Sequence, residues 1–213
     1  YELSKCKCNA EQYGFGLIPD HYGDFGAAVI EALTVALGPN FTEPVKNAWV
    51  KIYTTIVNVW TGSAESGGTI QVADYINYSG YTVRLDAPPV DVSAPIDERD
   101  IQLVEQSFAK VACLGADTVG KVIFTKFLAK QPSAAQNFPF NFVDWGADRK
   151  ATAHVAMVVK TVAVAVSLLR DLGTLVPVLQ AIGTRHHELA KCKKDADQYG
   201  FGLIPDHYGD FGG

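Results

Sequence analysis

Three absences narrow what this chain can do before its contents are considered. Lysine and arginine are outnumbered by acidic residues, 18 against 23, for a formal net charge of −5. No basic patch of the kind that a phosphate backbone or an anionic bilayer requires is present, so neither nucleic acid nor a membrane surface is expected as a partner. Long apolar runs are missing as well. The longest candidate, residues 155–169, is interrupted by Lys160 and falls short of the about 18 to 20 residues that cross a bilayer as a helix. Catalytic motifs are the third gap: there is no Gly-X-Ser-X-Gly elbow, phosphate-binding glycine loop or supported pair of carboxylates. No enzyme activity is expected. What remains, 213 residues of which 48% are hydrophobic and 19% charged, is the composition of a chain able to bury a sizeable core.

Cysteine is sparse but informative. The four are Cys6, Cys8, Cys113 and Cys192. The Cys6-Lys7-Cys8 spacing is tighter than the two-residue gap of a zinc knuckle and no histidine completes a ligand set, so zinc is not expected. All four stand as disulfide candidates, with their connectivity open. Asn40-Phe41-Thr42 and Asn77-Tyr78-Ser79 are acceptor sequences for N-glycosylation. Together with the cysteines they point to an oxidising, extracellular setting, that of a secreted protein.

The chain also repeats itself. Residues 2–26 recur at 188–212 with 21 identities in 25 positions at a constant offset of 186. Cys6 is equivalent to Cys192 and His21 to His207. Similarity of that density is an internal repeat whose boundaries cut through the sequence, and it implies one period of a longer tandem array.

Helical periodicity is strongest between residues 151 and 190. Leu175, Val178, Leu179, Ile182 and Leu189 recur on one face of a 3.6-residue helix, and His186 falls on that face while His187 is rotated outward. His154 heads a second stripe with Val158, Val162 and Ala165. Either histidine alone is more simply a hydrogen-bonded core residue. Two helices, each pointing one imidazole from an apolar face across a short turn at 171–174, could instead grip something flat.

In its order of elements the stretch from Ile101 to Leu189 resembles the first six helices of a globin. A helix at 101–111 is followed by one ending at Lys130-Gln131-Pro132, by Asn137-Phe138-Pro139-Phe140-Asn141-Phe142, and by the two histidine helices. In globins a proline stands six residues before the phenylalanine that stacks on haem, as Pro132 stands before Phe138. The resemblance implies haem b as cofactor, His186 as proximal iron ligand, His154 as distal histidine or possible second ligand, and Phe138 as the stacking ring. Phe124, Val158 and Ile182 are implied as further pocket residues. Dioxygen is the implied ligand, hydrogen-bonded by His154 and screened from water by the apolar wall. His21 and His207 would lie at a haem propionate or in a solvated turn.

The expected architecture is therefore an all-α, globin-like fold with a small β-hairpin in a linker. Residues 1–60 read as the last two globin helices, one stopped by Gly38-Pro39 and the next opened by Thr42 and Pro44. They would complete a preceding or permuted unit, with a following copy favoured to close the pocket of residues 98–190, because duplicated ends are redundant in a permuted monomer. Val29, Leu33 and Leu37, or their equivalents, should form the inner wall. Residues 61–97 read as the linker, with a Gly/Ser run and then strand, turn and strand; 98–190 as the first six helices; and 191–213 as an inserted loop and the start of the next repeat. The expected function is reversible oxygen binding for transport or storage, in partnership with neighbouring copies. The alternatives are a structural filament of globin repeats and a haem enzyme of peroxidase or nitric-oxide-consuming type.

Overall fold

Helix starts and stops fall where side-chain chemistry puts them. In the computed structural model, which describes residues 21–60, 95–144 and 148–183, the elements are α1 (Tyr22–Leu37), α2 (Glu43–Trp60), α3 (Glu98–Ala112), α4 (Ala116–Lys130), α5 (Arg149–Ser167) and α6 (Leu172–Gly183). Short 3-10 turns occupy Gly38–Asn40 and Pro132–Asn137. Among the described residues there is no strand, and most of the linker expected to hold the hairpin lies outside them.

Gly38 ends α1 at φ 51°, a conformation that glycine adopts without penalty, and Pro39 cannot continue the helix. At the start of α3 the Asp97 carboxylate accepts from the Asp100 N–H at 2.8 Å, and the Asp100 carboxylate accepts in return from the Asp97 N–H at 3.3 Å. This reciprocal cap fixes the helix start that Pro95 announces. Asp171 does the same for α6, accepting from the Thr174 N–H and hydroxyl at 3.1 and 2.7 Å.

Packing then follows the apolar faces. Within this single chain α1 lies on α4, α2 lies on α3, and α4 crosses α5, so residues 22–60 pack back onto the later helices. The crossing of α4 and α5 depends on Gly120. A Cβ there would stand 2.6 Å from the Val155 carbonyl oxygen, so the two backbones approach as only glycine permits. Gly26 plays a similar part between α1 and α2, where a Cβ would meet the Tyr53 ring at 2.4 Å. The Tyr53 hydroxyl donates to the Tyr22 carbonyl at 2.7 Å. Burial raises the pKa of Tyr53 far above that of an ordinary phenol, and that of Tyr22 to about 12.

Several polar groups in and beside this core are paired across helices. The buried Trp49 Nε1–H donates to the Ser107 hydroxyl at 2.9 Å, joining α2 to α3. Lys51 reaches the largely buried Asp100 at 2.9 Å across the same interface, and Glu31 of α1 pairs with Lys126 and Lys130 of α4 at 3.1 and 2.8 Å. By length and apolar composition alone α5 would suit a membrane span. Here Ala151, Val155, Val159, Ala165 and Val166 of that helix are buried in the core.

Candidate functional site

Pro132 stops α4 and opens the 3-10 turn that delivers Phe138 in extended conformation. Along the bends that follow, burial alternates: Phe138, Phe140 and Phe142 turn inward and gather at one place, while Pro139 and Asn141 are exposed. Phe138 meets Phe142 edge to face at 5.2 Å and lies nearly parallel to Phe140 at 6.4 Å. Phe124, 1% exposed on α4, closes the group, stacked on Phe142 at 5.5 Å and edge-on to Phe138 at 5.9 Å.

His154 enters this cluster from the second turn of α5. Its ring centroid lies 5.1 Å from Phe140, 5.4 Å from Phe138 and 5.8 Å from Phe124. The imidazole is half-buried, with its flanks against rings and part of it reachable. Three of the residues singled out from sequence, His154, Phe138 and Phe124, are thus brought together. Val158, one turn further along α5, is half-buried and lines an apolar cavity of about 30 Å³ with Val29, Leu33, Ile123 and Val162. Val29 and Leu33 therefore do face the side of α5 that bears Val158. Leu37 is buried but is not part of that lining.

The α6 face is formed by Leu175 and Leu179, both buried, with Ile182 half-buried; Val178 is 37% exposed and sits at its margin rather than on it. His186 and His207 lie outside the described residues, as do Cys6, Cys8, Cys192 and Asn77. His21, expected in a solvated turn or at a propionate, is instead 6% exposed, with its ring 6.0 Å from Phe127. It belongs to the core under α1, because the turn that carries it is the first step into a buried helix. Cys113 is an exposed free thiol whose sulfur contacts the Ala109 carbonyl at 3.3 Å. Asn40 is exposed at the end of its 3-10 turn, its amide oxygen accepting from Lys110. Among the described residues no group of three His, Cys, Asp or Glu side chains could hold a metal ion.

Sequence reading named Phe138 but passed over Phe140 and Phe142. The alternation of 138, 140 and 142 was the available signal. It also missed Asp148. One oxygen of that carboxylate accepts from the Lys150 and Ala151 N–H groups at 2.9 and 3.0 Å, and the other accepts from the Asn141 N–H at 2.8 Å. The Asn141 bond, then the Ala151 bond, hold the Asp148 pKa below that of an ordinary aspartate.

The chemistry of this lining suits a flat, apolar macrocycle. It offers aromatic faces, branched aliphatics and a single imidazole able to donate or accept a hydrogen bond. The cavity beside Val158 is about 30 Å³, room for a small molecule, so a macrocycle would have to lie along the open side of His154 and Val158. Compared with known families, residues 121–201 match the family model described as Globin. No curated protein and no solved structure matches the chain. The matched span runs from the second turn of α4 through the helix that carries His154 to the segment that carries His186, and with its all-α architecture the fold is globin-like.

Proposed function

We propose that this chain is a haem-binding unit of an extracellular, tandem-repeat haemoglobin that takes up and releases dioxygen. The observation that carries the reading is the position of His154, half-buried among Phe124, Phe138 and Phe140 and one turn from Val158, within a segment that matches the globin family. Haem b, when bound, supplies the iron at which dioxygen is reversibly held. The residues supply the rest. His186 would be the imidazole that holds the group, and Phe138 would stack against it. His154 offers a ring N–H to a small polar ligand in a setting where water competes poorly, which strengthens the hydrogen bond. Phe124 and Val158 keep water from the pocket.

The array reading rests on the repeat at 1–26 and 187–212. Residues 207–212 duplicate the first turns of α1, including the phenylalanine and glycine that pack at Phe25 and Gly26. They would begin the α1 of a following copy. The extracellular assignment rests on the exposed sequon at Asn40 and on the cysteine pattern.

Haemin titration of the purified chain tests the cofactor. One equivalent should produce a Soret band, and the reduced form should bind dioxygen reversibly. His186→Ala should abolish the band. His154→Leu should retain it while speeding oxygen loss and oxidation by roughly tenfold or more, as removal of a hydrogen bond worth 1.4 kcal/mol or above requires. A wild-type chain that retains no haem once unbound haemin is removed by gel filtration would end the proposal. Sedimentation of the parent polypeptide, with electron micrographs, separates discrete multi-unit particles from filaments. Mass spectrometry of secreted material for a glycan on Asn40 tests the compartment.

A further inference from the structure

Residues 138–144 form a hook that leads away from the aromatic cluster, and Asp148 stands at the start of α5. Its two carboxylate oxygens are used differently. Oδ1 accepts from the Lys150 and Ala151 N–H groups at 2.9 and 3.0 Å, which caps α5. Oδ2 accepts from the Asn141 N–H at 2.8 Å, seven residues earlier. Asn141 in turn accepts from the Val143 N–H through its own Oδ1 at 2.9 Å, which tightens the turn. A helix cap needs an acceptor for the first free N–H groups, and asparagine or serine serves as well as aspartate. The second oxygen is therefore surplus to capping.

The two bodies that Asp148 joins are the ones whose side chains meet in the pocket. On one side is the run bearing Phe138, Phe140 and Phe142. On the other is α5, which carries His154 six residues after Asp148. The imidazole and the Phe138 and Phe140 rings meet at 5.4 and 5.1 Å. We infer that Asp148 is a positioning residue for the pocket: its carboxylate locks the phenylalanine hook to the first turn of α5 and so fixes where His154 stands relative to Phe138. Hydrogen bonds from backbone N–H groups to a carboxylate are charge-assisted and directional, which makes them suited to holding a geometry. The inference deepens the haem reading and rests on it for the consequence to ligand binding, but the tether can be tested without the cofactor.

Asp148→Asn separates the two roles. An amide has one acceptor oxygen, which can cap α5 or hold Asn141 but not both, and two N–H groups at the cap compete against one at the hook. In the full chain without haem, the variant should melt close to wild type. Its Asn141 amide should exchange about tenfold faster with solvent, and the His154 ring-proton resonances should move towards those of a histidine away from aromatic rings. Haemin should leave the variant several times faster than wild type. Asp148→Ala should show the same shifts plus a lower melting temperature from loss of the cap. Unchanged Asn141 exchange and unchanged His154 resonances in Asp148→Asn would overturn the inference. So would both moving while haemin release stays the same, since a tether without that effect positions nothing. A wild-type chain that takes up no haemin would end the haem reading instead, and the exchange and resonance measurements would then decide the tether alone.

Discussion

Gly120→Ala tests whether the crossing of α4 and α5 holds the site together. The added Cβ would stand 2.6 Å from the Val155 carbonyl oxygen and 2.7 Å from its carbonyl carbon. Both are backbone atoms and cannot swing aside. Ordinary contact begins at 3.4 Å, so the helices must part by about 0.8 Å, the difference between 3.4 and 2.6, and overpacking of this kind costs about 1–3 kcal/mol. Alanine returns about 1 kcal/mol through its better helix propensity. The net loss is up to about 2 kcal/mol, and at about 2–4 °C per kcal/mol for a chain of this size the melting temperature should fall by as much as about 8 °C. Thermal unfolding followed by circular dichroism reads it. The site should feel the same displacement, because Phe124 lies one turn beyond Gly120 and His154 adjoins Val155. Their 5.8 Å ring contact spans the crossing, so haemin affinity should fall with stability. Gly173→Ala is the control: the site is exposed, an added Cβ would meet Asp171 Oδ1 at an ordinary 3.4 Å, and the change should be neutral or slightly stabilising. If Gly120→Ala melts above the wild-type temperature, or melts with it and binds haemin equally well, the close approach is not what sets the crossing.

Two further predictions concern pH and a third concerns a buried ion pair. Burial raises the pKa of both Tyr22 and Tyr53, so folding favours their protonated forms; the stability this confers is full below the unfolded value near 10.0 and declines as pH climbs towards about 12 for Tyr22. The melting temperature should drop across that window, and Tyr53→Phe should flatten the drop while losing about 1 kcal/mol near neutrality with the hydrogen bond to Tyr22. Asp148 shows the opposite sign. Its pKa is lowered, so its contribution is present above the unfolded value of 3.8 and disappears as pH falls through the folded one; Asp148→Asn should show a shallower acid limb than wild type in the same unfolding assay. Lys51→Met strands the Asp100 carboxylate, whose side chain is 11% exposed, and should cost about 3 kcal/mol. Adding Asp100→Asn should recover part of that loss.

How much of this was legible in the sequence depends on how far apart the interacting residues lie and on whether a period connects them. The stripe of His154, Val158 and Val162 was readable because a helix repeats every 3.6 residues; Val158 and Val162 line the cavity, and His154 enters the aromatic cluster. Phe138 was singled out by the resemblance to globins, in which a proline stands six residues before the stacking phenylalanine, as Pro132 does here. Gly38 and Pro39 likewise announced the end of α1. The failures share a different cause. His21 was read as polar and therefore wet, but its exposure is decided by Phe127 of α4, more than a hundred residues away. Val178 was placed on the buried face by period alone, yet the width of the covered stripe depends on what packs against α6. Asp148 carried a recognisable helix-cap signal, while its second oxygen accepts from Asn141, seven residues earlier, and no spacing rule encodes that bond. The same holds for the placement of residues 22–60. Composition and repeats show that two helices are available, but only the facing surfaces, Gly26 against Tyr53 and Trp49 against Ser107, select the partners on which they pack. Local rules thus give the elements and the residues that line a helix, whereas a site held by contacts between elements becomes visible only when the elements are assembled.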